Sequence, residues 1–225
     1  MAVRTDRRYE EELAHLRQLI LEMGGLVERQ IGDAMAALAE GHRELAEATI
    51  ERDHQVNRYD VDIDDECLRL LALHQPAARD LRLITTGLKI TTDLERIGDL
   101  AVNICERVTE TLANAIDLRI DLQRMAEIVR KMLRESLDAF VREDADLALS
   151  VCKEDDVIDA LHGQMFGEMI DQMRANPNLI VSGTAQLFVS KYLERIADHA
   201  TNIAEMVIFM VKGKSIRHLS VPVSI

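Results

Sequence analysis

One phrase occurs twice in this chain, once in each half, with the same acids at the same spacing. Residues 94–104 read LERIGDLAVNI, and residues 193–203 read LERIADHATNI. Each copy places a glutamate, an aspartate and an asparagine four residues apart, which is about one turn of an α-helix. Because both copies keep this pattern, we interpret the chain as a duplicated unit and expect a duplicated site. The duplication restricts the fold to two similar halves.

The composition favours helices. The chain has 225 residues with three prolines, ten glycines and 3% aromatic residues. It is rich in leucine, alanine, glutamate and arginine, which are strong helix formers. Its length is enough to bury a sizeable core. We therefore predict an all-α fold.

Glycine, proline and asparagine divide the sequence into six helical segments. The predicted helices cover about 7–39, 44–73, 76–112, 118–142, 145–174 and 179–212. Pro76 is a residue type favoured in the first helical turn, so we expect the third helix to begin there. Short connections make consecutive helices antiparallel. The predicted architecture is two tandem, similar three-helix bundles, formed by residues 1–114 and 115–225.

The acids of each phrase lie opposite an apolar face on a helical wheel of about 100° per residue. We expect the apolar face to be core; it is formed by Leu94, Ile97, Ala101, Ile104 and Val108, and by Leu193, Ile196, Ala200, Ile203 and Val207. Glu95 and Asp99 point to the other side, as do Glu194 and Asp198 in the second copy. A solvated acidic face is the simplest interpretation of one copy. Two acids four residues apart repel each other, however, and a solvated face would more naturally carry a lysine or arginine at the second position.

The second helix adds acids at the same height in the first half. Asp53 lies before the turn near Gln75, and Glu95 and Asp99 lie after it. Counted in residues from the turn, Asp53 is farther away than Glu95 and nearer than Asp99. In an antiparallel hairpin that rises ~1.5 Å per residue, these groups are level. Asn57 continues the polar stripe of Asp53 one turn later. In the first half, the sequence therefore predicts one cluster of polar side chains shared by the second and third helices.

The fifth helix repeats this arrangement in the second half. Asp155 and Asp159 correspond to Asp53 and Asn57 at an offset of 102 residues. Asp155 lies about as far before the turn near Asn176 as the two phrase acids lie after it. The second cluster is also level.

Several carboxylates gathered at one height without a balancing lysine need a cation. Oxygen ligands suit Mg²⁺, Mn²⁺, Ca²⁺ or iron rather than a structural zinc ion. We predict two surface-facing metal sites, formed by Asp53, Asn57, Glu95 and Asp99 and by Asp155, Asp159, Glu194 and Asp198. His162 could add a nitrogen ligand to the second site, although a solvated histidine is the simpler interpretation.

Charge and cysteine content exclude several function classes. The net charge of −13 argues against nucleic acid and disfavours docking to an anionic membrane. Three scattered cysteines without a CxxC pair indicate reduced core residues. The first 12 residues lack an apolar signal segment, and no apolar run approaches the ~20 residues needed to span a bilayer. We expect a cytoplasmic protein without direct membrane insertion.

A metal-dependent carboxylate enzyme, or a metal store, on a helical bundle is the alternative. Glu-x-x-His occurs twice, at Glu12/His15 and Glu51/His54, as in di-iron bundle enzymes. The two pairs lie ~24 Å out of register along their helices, so we expect them not to face each other. The sequence also lacks a CxxC pair, a glycine-rich phosphate loop and a nucleophile with its base. We therefore predict no catalytic residues and no enzyme activity.

At these residues the chain resembles the PhoU family of bacterial phosphate-transport and phosphate-signalling regulators. Both phrases match the family's paired E(D)xxxD metal motifs. Supporting similarities are Glu51-Arg52-Asp53, Gln75-Pro76 with Asp80-Leu81-Arg82, and Val211-Lys212-Gly213-Lys214 with Arg217-His218. One departure is Glu154, where the family usually has an arginine before the aspartate.

The resemblance implies two similar three-helix bundles, each with a site for iron or another divalent metal, often as a multinuclear cluster. It implies Glu95, Asp99, Glu194 and Asp198 as ligands, with Asp53 and Asp155 beside them. It also implies a non-catalytic adaptor that damps phosphate uptake and the phosphate-starvation response. The implied partners are the ATPase of the phosphate ABC transporter, a sensor histidine kinase and a second copy of the chain as a homodimer.

Overall fold

Six long α-helices make up the part of the chain that the structure describes. The structure is a computed structural model that describes residues 2–111 and 120–214, with side chains for 7–108 and 121–214. The helices are α1 (Ala2–Glu40), α2 (Arg43–His74), α3 (Ala78–Thr111), α4 (Ile120–Arg142), α5 (Ala145–Ala175) and α6 (Ile180–Lys212), with a single 3₁₀ turn at Pro177–Leu179 before α6. No strand occurs in these ranges, so the all-α prediction is confirmed. None of the helices described combines the length and apolar character needed to cross a bilayer.

Equivalent turns begin α2 and α5. Gly41 has a φ of 65° and Glu143 a φ of 53°, so both residues adopt the left-handed conformation that ends the preceding helix. The next residue then caps the following helix: His42 Nδ1 accepts a bond from the backbone N–H of Leu45 at 3.0 Å. Asp144 Oδ1 accepts two backbone N–H bonds from the first turn of α5, each at 3.0 Å. The offset of 102 residues is thus present in the turns as well.

The third helix begins later than the sequence predicts. Gln75 takes the left-handed conformation, with a φ of 46°, and ends α2. Two further residues turn the chain, and α3 starts at Ala78 instead of Pro76. The predicted end of the third helix at 112, the predicted start of the fourth at 118, the boundary between 114 and 115, and the segment 215–225 with Arg217 and His218 lie outside the described residues.

The two three-helix units share one continuous apolar core, in which α3 packs against α6 and α1 against α4. All ten residues of the two predicted apolar faces are fully buried, as predicted. Arg82 Nε donates to the Met210 carbonyl oxygen at 3.0 Å, and Asp93 meets His199 near mid-length, so α3 and α6 are antiparallel. This register places the two phrases side by side at the middle of the molecule.

The three cysteines agree with the reduced core residues expected. All are free; Cys67 and Cys105 are buried and Cys152 is partly buried. Burial raises the pKa of each thiol to about 12, so none is a reactive thiolate at neutral pH.

Candidate metal centre

The first carboxylate cluster lies between α2 and α3, where the sequence predicts it. Asp53 comes from α2, and Glu95 and Asp99 come from α3. Burial raises the pKa of Asp53, and the charge of Asp99 raises it further. For Glu95, burial again raises the pKa most, followed by the charge of Asp99, with Asp60 and Asp53 adding to the effect. These carboxylates therefore lie within one another's electric field.

The second cluster lies at the equivalent place between α5 and α6. Burial raises the pKa of Asp155 from 3.8 to about 6, with further increases from the charges of Asp198 and Asp159. Burial also raises the pKa of Asp198, helped by the charges of Glu194 and Asp159. The structure thus brings together the four acids predicted for this half.

Both clusters have a cation beside them. A salt bridge from Arg96 to a neighbouring acid is the interpretation that the sequence favours, whereas Lys191 is absent from the prediction. Arg96 places Nε 3.4 Å from Glu95 Oε2 and an Nη atom 3.3 Å from Asp99 Oδ2. In the second half, Lys191 Nζ lies 2.5 Å from Glu194 Oε2. The premise that no lysine balances these acids is therefore wrong for the second cluster. Both cations are more than half exposed, and exposed ion pairs of this kind are worth about 0–1 kcal/mol.

The acids are also less exposed than an outward-facing wheel position indicates. The side chain of Glu95 is 25% exposed and that of Glu194 is 15% exposed. Since α2 and α5 pack against the flanks of α3 and α6, the clusters lie in the grooves of these helix pairs. Desolvation in the grooves raises the pKa values described above.

Two amides hold Asp53. Asn57 Nδ2 donates to Asp53 Oδ2 at 3.1 Å, and Gln30 Nε2 donates to Asp53 Oδ1 at 3.3 Å. Asn57 is exposed on α2, whereas Gln30 is fully buried on α1 and its Oε1 has no hydrogen-bond partner. Gln30 is absent from the sequence-based prediction. Its signal is a polar residue in the apolar stripe of α1.

Gly98 allows the helices to approach closely at the first cluster. A Cβ atom at this position would lie 3.1 Å from Asp53 Oδ1 and 3.4 Å from Gln30 Oε1. The second copy of the phrase has the fully buried Ala197 instead. The difference between the two copies at this position was the available sequence signal, and our prediction did not use it.

His162 contacts a different partner from the cluster acids. Its Nδ1 lies 2.7 Å from Ser190 Oγ on α6, and its ring lies 6.4 Å from that of Phe166. The offset of 102 residues makes it the counterpart of Asp60. A role for His162 as a nitrogen ligand stays a prediction.

The donor atoms of both clusters fit a hard divalent cation. As the side chains stand, no three carboxylate, imidazole or thiol groups among the described residues lie close enough to hold one ion. Binding of a metal ion by three ligands would therefore require that carboxylates rotate or that ligands of another type take part. The first cluster offers such a ligand, because the unpaired Gln30 Oε1 borders the space that Gly98 leaves open. The remaining donors are carboxylate oxygens, which suit Mg²⁺, Mn²⁺ or iron.

An ion pair next to each cluster has opposite polarity in the two halves. Arg52 of α2 pairs with Asp33 of α1, whereas Glu154 of α5 pairs with Lys131 of α4. Glu154 therefore has a basic partner of its own, because Lys131 is the counterpart of Arg29 and not of Asp33 at the offset of 102 residues. In each three-helix unit, an ion pair thus joins the first helix to the second.

Polar contacts also join the two halves. His199 Nδ1 of α6 lies 2.7 Å from Asp93 Oδ1 of α3, and Asn202 Nδ2 donates to the same oxygen at 3.4 Å. On the other side, Arg134 of α4 donates to Glu28 Oε1 of α1 at 2.6 Å. Asp93 lies two residues before Glu95, and His199 lies one residue after Asp198. These polar contacts between the halves, called the seam below, therefore connect the two clusters.

The Glu-x-x-His pairs do not combine into a di-iron site. Glu12 meets His74 Nε2 at 2.6 Å and also pairs with Arg69. Glu51 and His54 are exposed, at 82% and 71% of their side-chain surface. Since Glu12 is level with His74, which follows His54 by 20 residues on α2, the two pairs lie far apart along the helices, as the sequence predicts.

Comparisons with known proteins identify the family. The model of the PhoU domain matches residues 20–108 and 122–207, one match in each half. The phosphate-specific transport system accessory protein PhoU homolog of Pseudomonas putida is 42% identical over 95% of this chain and 84% of its own length. The crystal structure of PhoU from Pseudomonas aeruginosa is 41% identical, with a TM-score of 0.87 over 92% of this chain and all of that one. The phosphate transport system regulatory protein PhoU from Streptococcus pneumoniae is 33% identical, with a TM-score of 0.87 over 92% and 99% of the two chains. With both halves matched and the fold shared along nearly its whole length, the chain belongs to the PhoU family.

Proposed function

We propose that this protein is an accessory protein of a phosphate transport system that negatively regulates phosphate uptake and the phosphate-starvation response. The observation that carries this proposal is the similarity to relatives named as phosphate-specific transport system accessory proteins, at 42% and 41% identity over 95% of the chain. The protein acts without catalysis, as an adaptor between the transporter and the signalling machinery.

The two carboxylate clusters give the adaptor its metal-dependent part. Asp53, Glu95 and Asp99 hold one divalent cation or a small cluster, and Asp155, Glu194 and Asp198 hold another, with Asn57 and Asp159 at their edges. The raised pKa values of four of these acids support this proposal, because a bound cation relieves the repulsion that produces part of the shift. The metal supplies positive charge that fixes the two helix pairs at mid-length.

The partners proposed are the transporter ATPase and a sensor histidine kinase, in the cytoplasm, with the protein as a homodimer. The family similarity supports these partners. The net charge of −13 favours partner surfaces that carry basic residues.

A deletion strain tests the role. We expect loss of the gene to raise both phosphate uptake and a phosphate-starvation reporter in phosphate-rich medium, and the wild-type gene to restore both. A variant with Glu95→Gln, Asp99→Asn, Glu194→Gln and Asp198→Asn should fail to restore them although it folds. Asp171→Asn, at a side chain 80% exposed on α5, is the control that should restore them fully.

Co-purification from the same cells tests the adaptor. Tagged wild-type protein should retain the ATPase or the kinase. If a folded protein retains neither, and deletion leaves uptake and reporter unchanged, the regulatory role is wrong. A metal store is distinguished by stoichiometry, since it would take up many ions per chain rather than one small set in each half.

A further inference from the structure

The buried amide of Gln30 is unexplained by packing. Gln30 lies on α1 with no exposed surface, in a stripe of apolar residues that includes Val27 and Ile31. Its Nε2 donates to Asp53 Oδ1, but its Oε1 has no partner. Buried acceptors are nearly always hydrogen-bonded or bound to an ion or water, so an unpartnered one points to an ion or a water molecule as its ligand.

The unpaired oxygen borders the first carboxylate cluster. Gln30 Oε1 and Asp53 Oδ1 both lie close to the position that a side chain on Gly98 would occupy, at 3.4 and 3.1 Å. Gly98 lies one residue before Asp99 and three after Glu95. Because glycine leaves this point open, an ion between α2 and α3 can reach a neutral amide oxygen at the bottom of the groove.

The second half lacks both features. At the offset of 102 residues that relates α1 to α4, Met132 replaces Gln30; at the offset of 99 that relates α3 to α6, Ala197 replaces Gly98. Both replacements are fully buried. The register is secure, because the helix-capping residues His42 and Asp144 obey the same offset of 102. The second cluster therefore has no amide oxygen at the equivalent place and less open space.

We propose that the Gln30 carbonyl oxygen is an inner ligand of the first cluster, where it binds a hard divalent cation together with Asp53 and the acids of α3. An amide oxygen adds a ligand without adding the repulsion of a further negative charge. The first cluster accordingly binds Mn²⁺ more tightly than the second does. This inference rests on metal binding at the clusters, as set out under the proposed function, and it makes the two halves unequal.

Mn²⁺ titration of full-length, chelator-stripped protein tests this assignment, with calorimetry for affinity and electron paramagnetic resonance for bound ions. One background, Glu194→Gln with Asp198→Asn, leaves only the first cluster. In that background, we expect Gln30→Met to weaken Mn²⁺ binding about tenfold or more, the size seen when a metal site loses a supporting group. Gln18→Met, at an exposed glutamine of α1, should change nothing.

The reciprocal change tests the second cluster. In a Glu95→Gln, Asp99→Asn background, Met132→Gln with Ala197→Gly should tighten Mn²⁺ binding about tenfold. Circular dichroism and thermal unfolding establish that each variant folds. If Gln30→Met does not fold, Gly98→Ala tests the same point, because its Cβ would occupy the space beside Asp53 Oδ1 and should weaken Mn²⁺ binding at the first cluster.

Three results would overturn the assignment. Unchanged Mn²⁺ affinity in folded Gln30→Met, or in Gly98→Ala where that variant replaces it, removes Gln30 as a ligand while metal binding by the clusters stands. Tighter binding at the second cluster than at the first in the two backgrounds reverses the inequality. Absence of any Mn²⁺ binding by the wild-type chain refutes this inference and also the metal-dependent part of the proposed function.

Discussion

Replacing Asp155 with asparagine should stabilise the metal-free protein at neutral pH. Burial and the charges of Asp198 and Asp159 raise the pKa of Asp155 from 3.8 to about 6. The folded state therefore binds this proton more tightly than the unfolded state. Stability is highest when both states are protonated or nearly so, decreases as the pH rises through the range between 3.8 and about 6, and is lowest above it.

The size of the effect follows from the shift. At about 1.4 kcal/mol per pKa unit, the rise corresponds to about 3 kcal/mol. Asp155 is only partly buried, so solvent screening reduces this figure to about 1–2 kcal/mol. Asparagine keeps the shape of the side chain and removes the charge. We expect Asp155→Asn to raise the free energy of unfolding by about 1–2 kcal/mol at pH 8 relative to its effect at pH 4, while weakening metal binding.

Urea unfolding of chelator-treated protein at pH 4, 6 and 8 measures this difference. Asp171→Asn on the same helix is the control; at 80% exposure it should change the free energy of unfolding by less than about 0.5 kcal/mol at each pH. An effect of Asp155→Asn that is the same at pH 4 and pH 8 would refute the electrostatic reasoning. It would mean that the clustered charges cost the folded state nothing.

Two further predictions concern helix packing and the seam between the halves. Gly24→Ala should destabilise the protein by about 1–2 kcal/mol in urea unfolding. Its Cβ would lie 2.2 Å from Leu137 Cδ1, and the cost of overpacking outweighs the gain in helix propensity. Gly163→Ala should instead stabilise the protein by about 0.5–1 kcal/mol, because nothing lies within 4 Å of its Cβ position. Asp93→Ala should cost about 1–3 kcal/mol in the same assay, because it removes the acceptor that His199 contacts across the seam.

The helices could be predicted because the signals that define them are local. The start of α5 and the ends of α4 and α6 fall at the predicted residues. These boundaries depend on apolar periodicity and on turn residues such as Gly213. The start of α3 could not be obtained this way. Nothing in Pro76 itself reveals that Gln75 adopts a left-handed conformation and delays the helix.

The sequence predicts which side of α3 carries the cluster acids, but it does not predict how deeply those acids are buried. A helical wheel assigns Glu95 and Asp99 to one side of α3, and residue counting finds Asp53 level with them. Neither method reveals how far the neighbouring helix covers that side, so partial burial was missed. Contacts with a third helix were missed as well, because Gln30 reaches Asp53 from α1, 23 residues away in sequence.

Comparison of the two halves separates structural charges from charges that serve a ligand. At the position before the first aspartate of each cluster the sign of the charge differs between the halves, and each residue pairs with a different position of the neighbouring helix: Arg52 with Asp33 in one, Glu154 with Lys131 in the other. In the adjacent clusters, no such exchange has occurred; aspartate occupies position 53 and its counterpart 155, and the phrase acids are identical in both copies. These acids are partly buried and repel one another, so their common sign is unfavourable to folding. We propose that a shared requirement for cations is the reason why both halves keep it, and the Mn²⁺ titrations test for that requirement in each half separately.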